Sequence, residues 1–304
     1  MSVLIIGIPN GMYTNMSNLM YKTFFNNLGM KVVFSGKTTN SIKENGIKLS
    51  SDEACLASKI FIGHINYLVE EFNKGKIDYI FIPRLCTYKK NETECVRFYA
   101  MYDICNNIFN ANFVALNLDY ANKSDEVIAY INLGKSLGCS KIKSFLAYIN
   151  AKKTCVNQYK ENLKYNLKTS NNKNKKILIV SHPYIYDDEL LGKPICKYLK
   201  SQNFDLIFAD KENINKDLYK EVSKTLFWKQ SKTIMNGFVK QNDNVNGIIY
   251  MSVFSCGTDS LTTDIMQRRK KNVPSINLII DEQNEFEGYK TRLESFIDII
   301  DMNR

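Results

Sequence analysis

The sequence lacks any hydrophobic run long enough to span a membrane, and it lacks a recognisable signal peptide. Its longest apolar runs, such as residues 177–180 and 278–280, are only a few residues long, whereas a transmembrane helix needs about 20. The N-terminal stretch Met1-Ser-Val-Leu-Ile-Ile-Gly7 has no basic segment before its apolar residues and no small-residue cleavage site, so it is typical of a first strand. We therefore expect a cytoplasmic protein that does not contact a membrane.

The eight cysteines include no Cys-x-x-Cys pair, and the sequence contains only two histidines. By pattern, these absences exclude a zinc ribbon, a thioredoxin-type redox motif and a bacterial ferredoxin run. A disulfide scaffold is also disfavoured, because a reducing compartment does not maintain disulfide bridges. The cysteines therefore need an explanation that does not depend on local spacing.

Arginine is absent from the segment that carries the net positive charge. Residues 135–200 contain 14 lysines, no arginine and four acidic residues, which accounts for the whole net charge of +10. A mixture of lysine and asparagine without arginine is more typical of a solvated linker than of a groove for nucleic acid. We therefore expect no nucleic-acid partner, and we assign residues 151–175 to a basic linker or helix.

Short apolar runs alternate with amphipathic helical patterns along the chain. Largely apolar runs of this kind are expected when helices cover both faces of a parallel sheet. We predict an α/β protein of two doubly wound, Rossmann-like domains with mainly parallel sheets, the N-terminal domain over residues 1–150 and the C-terminal domain over residues 176–304. The predicted strands are residues 2–8, 31–34, 78–83, 112–118, 176–181, 204–208, 246–254 and 274–281.

Position relative to the predicted strands separates three cysteines from the other five. Cys55 lies in the first turn of a predicted helix, Cys95 lies in the loop region beyond the strand at 78–83, and Cys256 follows the strand ending at Phe254. Ligands of open α/β sheets bind beyond the carboxyl ends of strands, and a helix N-terminus stabilises a thiolate. We predict that these three cysteines converge on one cleft between the domains, although any single cysteine is more often an inert, buried side chain.

Three thiolates from separate loops suit a [4Fe–4S] cluster that keeps one iron for a non-protein ligand, since soft thiolates select iron–sulfur clusters or zinc. Zinc fits less well, because it normally takes a fourth protein ligand and only His64 and His182 are available. His64 follows Cys55 by about two and a half helical turns, and we interpret it as structural. His182 directly follows a strand and is the better candidate for the cleft, although a capping or structural role suits it equally.

Motifs for nucleotide hydrolysis are missing. The segment Gly36-Lys-Thr-Thr39 contains the end of a Walker A loop, but Lys31 stands where the leading glycine belongs. The first turn, which contains Pro9, does not follow the Gly-x-Gly-x-x-Gly pattern either. We therefore expect that this chain does not hydrolyse nucleotides itself.

Several segments together resemble the 2-hydroxyacyl-CoA dehydratase superfamily, and within it the branch of activase-related or double-cubane cluster proteins. The resemblance is carried by Asp52-Glu-Ala-Cys-Leu-Ala-Ser-Lys-Ile-Phe-Ile-Gly-His64, Asp78-Tyr-Ile-Phe-Ile-Pro-Arg84 and Phe254-Ser-Cys-Gly-Thr-Asp-Ser260, with further similarity at residues 182–187, 281–282 and 291–296. It therefore extends over nearly the whole chain.

The resemblance implies that Cys55, Cys95 and Cys256 are cluster ligands. It implies a [4Fe–4S] cluster or a sulfide-bridged double-cubane cluster, reduced at low potential by an ATP-hydrolysing activator protein. A homodimer is consistent with it. Proline commonly follows two of the family's cysteines, whereas Leu56 and Val96 stand here; such changes alter loop stiffness and leave the thiolates in place, so the type of cluster is not fixed.

Three functions follow as hypotheses. The first is an iron–sulfur protein that acts as an electron-transfer or reductase centre at the cleft. The second is a dehydratase-like subunit, in which the open iron binds a 2-hydroxyacyl-CoA. The third is a cluster-free regulatory or scaffold partner of an ATPase. The sequence does not decide whether the chain is itself catalytic.

Overall fold

The computed structural model describes residues 3–212, 217–269, 273–283 and 286–302. Its contacts divide the chain into two compact units, residues 1–159 and 160–304. The division falls inside a helix that occupies most of the segment expected as a basic linker or helix.

The first unit contains a mainly parallel five-stranded sheet. Strands β2, β1, β3 and β5 lie side by side and parallel, while β4 pairs antiparallel with the far end of β3. The elements are β1 (Ile5–Ile8), α1 (Asn15–Asn27), β2 (Lys31–Phe34), α2 (Asn40–Lys48), α3 (Leu56–Asn73), β3 (Tyr79–Lys89), β4 (Glu92–Thr93), α4 (Val96–Ile108), β5 (Phe113–Asp119), α5 (Glu126–Ser136) and α6 (Lys141–Ser170).

The second unit contains a four-stranded, entirely parallel sheet in the order β7-β6-β8-β9. All seven residues of its central strand β8 are buried, as expected when helices cover both faces of a sheet. The elements are β6 (Lys176–Val180), α7 (Pro183–Tyr186), α8 (Lys193–Ser201), β7 (Asp205–Phe208), α9 (Lys229–Gln241), β8 (Gly247–Val253), α10 (Gly257–Arg269), β9 (Ser275–Ile280) and α11 (Phe286–Met302).

The predicted fold class is confirmed. The chain is a mixed α/β protein with two mainly parallel sheets, consistent with two Rossmann-like domains. Two strands differ clearly from their predicted extents. The first strand was predicted from residue 2, which lies outside the described residues, whereas β1 begins at Ile5. Strand β3 continues past Pro83 to Lys89 and turns back into β4. None of the helices in the described part of the chain combines the length and the apolar character needed to cross a membrane.

The first unit packs helices α2 and α3 against each other with almost no space between their backbones. A Cβ atom on Gly63 would overlap the carbonyl oxygen of Ile42, and a Cβ atom on Gly46 would overlap the carbonyl oxygen of Lys59. Both glycines are buried, and each lies within a helix. These two glycines therefore permit the close approach that holds α3, and the cysteine at its start, in place.

Candidate functional site

Each of the three cysteines predicted as ligands lies at the N-terminus of a helix. Cys55 directly precedes α3 and Cys95 directly precedes α4, both with extended backbone. Cys256 directly precedes α10, and its carbonyl oxygen accepts a hydrogen bond from the N–H of Ser260 at 3.1 Å. The first turn of a helix presents unpaired N–H groups and the positive end of the helix dipole, both of which favour a thiolate.

Hydroxyl groups and open space lie next to two of these thiols. The Sγ atom of Cys55 is 3.1 Å from the Oγ atom of Ser58, and the Sγ atom of Cys256 is 3.3 Å from the Oγ1 atom of Thr258. Both hydroxyls can donate a hydrogen bond to a thiolate. A Cβ atom on Gly257 would meet no described atom within 4 Å, so space is available beside Cys256. The donor set fits iron–sulfur chemistry, in which thiolates hold the cluster and hydrogen bonds to sulfur tune it.

The convergence of the three thiols stays a prediction. Cys55 and Cys95 belong to the first unit, and Cys256 belongs to the second. Over the described residues, no three His, Cys, Asp or Glu side chains are grouped as a metal site. What the structure establishes is that each cysteine lies at the start of a helix, is half-buried and is not part of a disulfide.

Four of the remaining five cysteines are less suited to bind a cluster. Cys105 and Cys196 are buried, and burial raises the pKa of each thiol to about 12. Burial also raises the pKa of Cys86 and of Cys155. A raised pKa keeps a cysteine in its neutral thiol form, which is typical of an inert, small hydrophobic side chain.

Lys59 is a buried cation that sequence reasoning missed. Its side chain is 4% exposed, and its Nζ atom donates to the carbonyl oxygen of Asp52 at 3.1 Å. The backbone N–H of Lys59 donates to the carbonyl oxygen of Cys55 at 3.1 Å, in the first turn of α3. Lys59 therefore fixes the loop that carries Cys55 and brings a positive charge to the same helix end. The sequence signal for this role was a lysine one helical turn after Cys55, followed directly by the apolar residues Ile60, Phe61 and Ile62.

His64 is buried and hydrogen-bonded through both ring nitrogens, which agrees with the structural role expected from the sequence. Its Nδ1 atom is 2.8 Å from Ser35 Oγ and its Nε2 atom is 3.0 Å from Thr38 Oγ1. Burial lowers the pKa of the imidazole to about 4. The segment that resembles the end of a Walker A loop therefore binds a histidine through Thr38.

The lowered pKa of His64 leads us to expect that the folded protein loses stability as the pH falls. As the pH falls from about 6.5 to about 4, the unfolded chain protonates this histidine while the folded chain keeps it neutral, so stability is lost in that window. The expected loss is about 3 kcal/mol in the free energy of unfolding. Urea unfolding across this range, compared between wild type and His64→Gln, measures it. Equal pH slopes for the two proteins would contradict the prediction.

The second unit contains a buried pair of His182 and Asp259. His182 follows β6 and precedes α7, whereas Asp259 lies in the first turn of α10, after β8. Because β6 and β8 are neighbours in the sheet, their carboxyl ends bring His182 Nε2 to 2.8 Å from Asp259 Oδ1. The His182 ring stacks on Tyr184 with centroids 5.0 Å apart. The sequence indicated His182 at this edge but did not identify Asp259.

A small cavity lined by both polar and apolar side chains lies beside this pair. Ser181, Ser231, Thr262 and Thr263 contribute to its lining together with His182 and Asp259. About 10 Å³ of it is open to the centre of a water molecule, which is room for one water. Among the described residues, the buried atoms Ser181 Oγ and Asp259 Oδ2 have no hydrogen-bond partner. Buried polar atoms of this kind are normally satisfied by a protein group, water or ligand, so the cavity suits a small polar occupant.

A comparison with known families decides the classification. Residues 5–211 match the family described as the CoA enzyme activase uncharacterised domain (DUF2229), about two thirds of the chain. The chain belongs to this family. The matched residues include Cys55, Cys95 and His182 and end before Cys256. It supports the activase-related branch indicated by the resemblance and does not address the cluster.

Solved structures add nothing to this assignment. The SBP FpvC of P. aeruginosa in complex with Ni²⁺ is 13% identical over 91% of this chain and 87% of its own, with a TM-score of 0.28. The same protein in complex with Mn²⁺ is 11% identical over 98% of this chain and 97% of its own, with a TM-score of 0.29. A mutant of the laminin-binding adhesin Lmb from Streptococcus agalactiae is 12% identical over 98% of this chain and 98% of its own, with a TM-score of 0.28. These scores carry no argument about function. No curated protein matches the sequence.

Proposed function

We propose that this member of the CoA enzyme activase domain family binds an iron–sulfur cluster through Cys55, Cys95 and Cys256. In this role it is a low-potential electron-transfer or reductase centre, reduced by an ATP-hydrolysing activator protein. The observation that carries the proposal is that all three cysteines start helices, although they come from different parts of the chain. Family membership supports the link to an activator.

The residues around the thiols suit an anionic centre. A [4Fe–4S] or double-cubane cluster, when bound, would supply one-electron transfer at low potential. The helix N-termini behind the thiolates offset their negative charge. Ser58 and Thr258 can donate hydrogen bonds to sulfur, and buried Lys59 adds a positive charge near Cys55. Each of these contributions favours the reduced, more negative state.

The buried His182–Asp259 pair lies close in sequence to Cys256, because Asp259 is in the first turn of α10 and Cys256 directly precedes that helix. Asp259 follows Cys256 by three residues, which is about one helical turn. A hydrogen bond joins His182 Nε2 to Asp259 Oδ1, with 2.8 Å between the two atoms. Both side chains are less than a tenth exposed, so the pair is shielded from bulk water. These residues can therefore hold a proton close to the first turn of α10.

Anaerobic purification followed by reconstitution with iron and sulfide tests the proposal. We expect about four iron and four sulfide per chain for a single cubane, and roughly twice as much for a double-cubane cluster. The reduced protein should give an electron paramagnetic resonance signal, and an activator ATPase with ATP should produce the same signal without dithionite. Absence of any cluster before and after reconstitution would reject the proposal.

The two other hypotheses predict different results in the same experiment. A dehydratase-like subunit would show a cluster spectrum that changes when a 2-hydroxyacyl-CoA is added. A cluster-free scaffold would form a stable complex with the ATPase even after Cys55, Cys95 and Cys256 are all replaced. The iron content, the spectrum and the complex therefore separate the three functions.

A further inference from the structure

Helix α6 has a second apolar face, opposite the face that packs on the first unit. Its inner face contains the buried residues Ser144, Ala147, Tyr148 and Ala151, and the Tyr148 ring lies 5.2 Å from that of Tyr130. The outer side chains, with their exposed fractions, are Ile142 (74%), Phe145 (41%), Leu146 (56%), Ile149 (44%) and Val156 (45%). A surface helix normally carries charged or polar residues on the side away from its core.

The spacing of these residues is that of a helix-packing seam. Ile142, Ile149 and Val156 recur every seven residues, and Phe145 stands three residues after Ile142. Positions a and d of a heptad, the positions that contact a second helix, have this spacing. The second d position is Lys152, which pairs with Glu126 at 2.7 Å, so the a positions together with Phe145 and Leu146 form the apolar strip along which one more helix can pack.

The charge of α6 indicates what kind of helix binds there. The helix contains seven lysines and one acidic residue, Glu161, which pairs with Lys164 at 2.7 Å. Lys153 lies four residues after Ile149 and three before Val156, so it projects from the apolar face itself. A partner that covers this face must therefore supply negative charge beside its apolar residues.

We propose that the outer face of α6, from Ile142 to Val156, is a docking surface for an acidic amphipathic helix of a partner protein. A second copy of this chain fits poorly, because it would bring lysine-rich faces together. A lipid surface also fits poorly, because Lys153 would have to follow Ile149 and Val156 toward the apolar layer. The proposal is independent of cluster binding.

The test uses the whole chain and a labelled synthetic helix. The probe is a peptide of about three heptads with leucine at positions a and d and glutamate at the flanking positions, and its binding is followed by fluorescence anisotropy. A matched peptide with lysine in place of each glutamate is the charge control. We expect the acidic peptide to bind and the basic peptide to bind at least about tenfold more weakly, since like charges at the seam repel.

Variants locate the binding face. Ile149→Glu should weaken the acidic peptide by about tenfold or more, because it puts a charge in the centre of the seam. Lys153→Glu should weaken the acidic peptide and strengthen the basic one. Ile108→Glu, at a comparably exposed residue (40%) at the end of α4, is the matched control and should change neither. Circular dichroism checks that each variant keeps its helix content.

Each alternative result overturns the proposal. Failure of the acidic peptide to bind, equal binding of both peptides, or binding unaffected by Ile149→Glu would each do so. A dimer in light scattering that Ile149→Glu dissociates would assign the face to a second copy. Sedimentation with phosphatidylserine vesicles that Ile149→Glu abolishes would assign it to a membrane surface.

Discussion

Replacing Cys55, Cys95 and Cys256 together with serine is expected to abolish cluster binding completely. Serine keeps the size of the side chain but removes the soft thiolate that selects iron–sulfur clusters. Each single replacement is expected to lower the iron content and shift or remove the electron paramagnetic resonance signal, because a ligand is lost from one iron. Iron and sulfide analysis after anaerobic reconstitution measures the effect.

Two other cysteines provide matched controls. Cys86 lies in β3, and its carbonyl oxygen accepts a hydrogen bond from the N–H of Glu94, so it belongs to the same hairpin as Cys95. Cys139 is half-buried, like the proposed ligands. Cys86→Ser and Cys139→Ser are expected to bind the cluster as the wild type does. If Cys86→Ser loses the cluster and Cys95→Ser retains it, the assignment of Cys95 is wrong.

Replacing Gly63 with alanine is expected to destabilise the first unit by about 3 kcal/mol or more. The added Cβ atom overlaps the backbone carbonyl oxygen of Ile42, so helices α2 and α3 must move apart, and a backbone atom cannot relieve the overlap by changing rotamer. Thermal unfolding followed by circular dichroism should show a clearly lower first transition. Gly46→Ala should behave in the same way, because its Cβ atom overlaps the carbonyl oxygen of Lys59.

Gly257 is the matched control for this prediction. It also lies in a helix, but a Cβ atom there meets no described atom within 4 Å. Gly257 is the first residue of α10, and alanine has the higher helix propensity. Gly257→Ala should therefore unfold at the wild-type temperature or above it. Unchanged unfolding of Gly63→Ala would show that α2 and α3 have room to separate.

The fold was predictable where burial controls the sequence. Strand β8 is buried throughout, and its continuous apolar run identified it. The hairpin of β3 and β4 was missed, because the apolar run stops at Pro83 and proline normally ends a strand. In the structure β3 continues through Pro83, which is paired with Leu116 of β5. That pairing joins distant residues, and local patterns carry no information about it.

The candidate site was predictable only where it depends on local sequence. The sequence indicated a helix from Ser51 with Cys55 in its first turn, whereas the helix begins at Leu56 and Cys55 directly precedes it. Cys256 was expected in a turn before a helix, and it lies there. Asp259 lies in the segment Phe254–Ser260, but its contact with His182 was not predicted. Its contact with His182 depends on β8 lying beside β6, an order that skips β7. Sequence order does not reveal which strands are neighbours.

The helices of the first unit begin in two different ways. Helices α1, α2 and α5 start at Thr14, Thr39 and Asp125, whose side chains accept a hydrogen bond from the helix backbone. Helices α3 and α4 start at Cys55 and Cys95, whose side chains make no such bond. An ordinary N-cap residue is worth about 1 kcal/mol over one that cannot cap. Serine or aspartate at either position would make the helix start more stable, so Cys55 and Cys95 are positions at which the sequence is not optimised for the stability of α3 and α4.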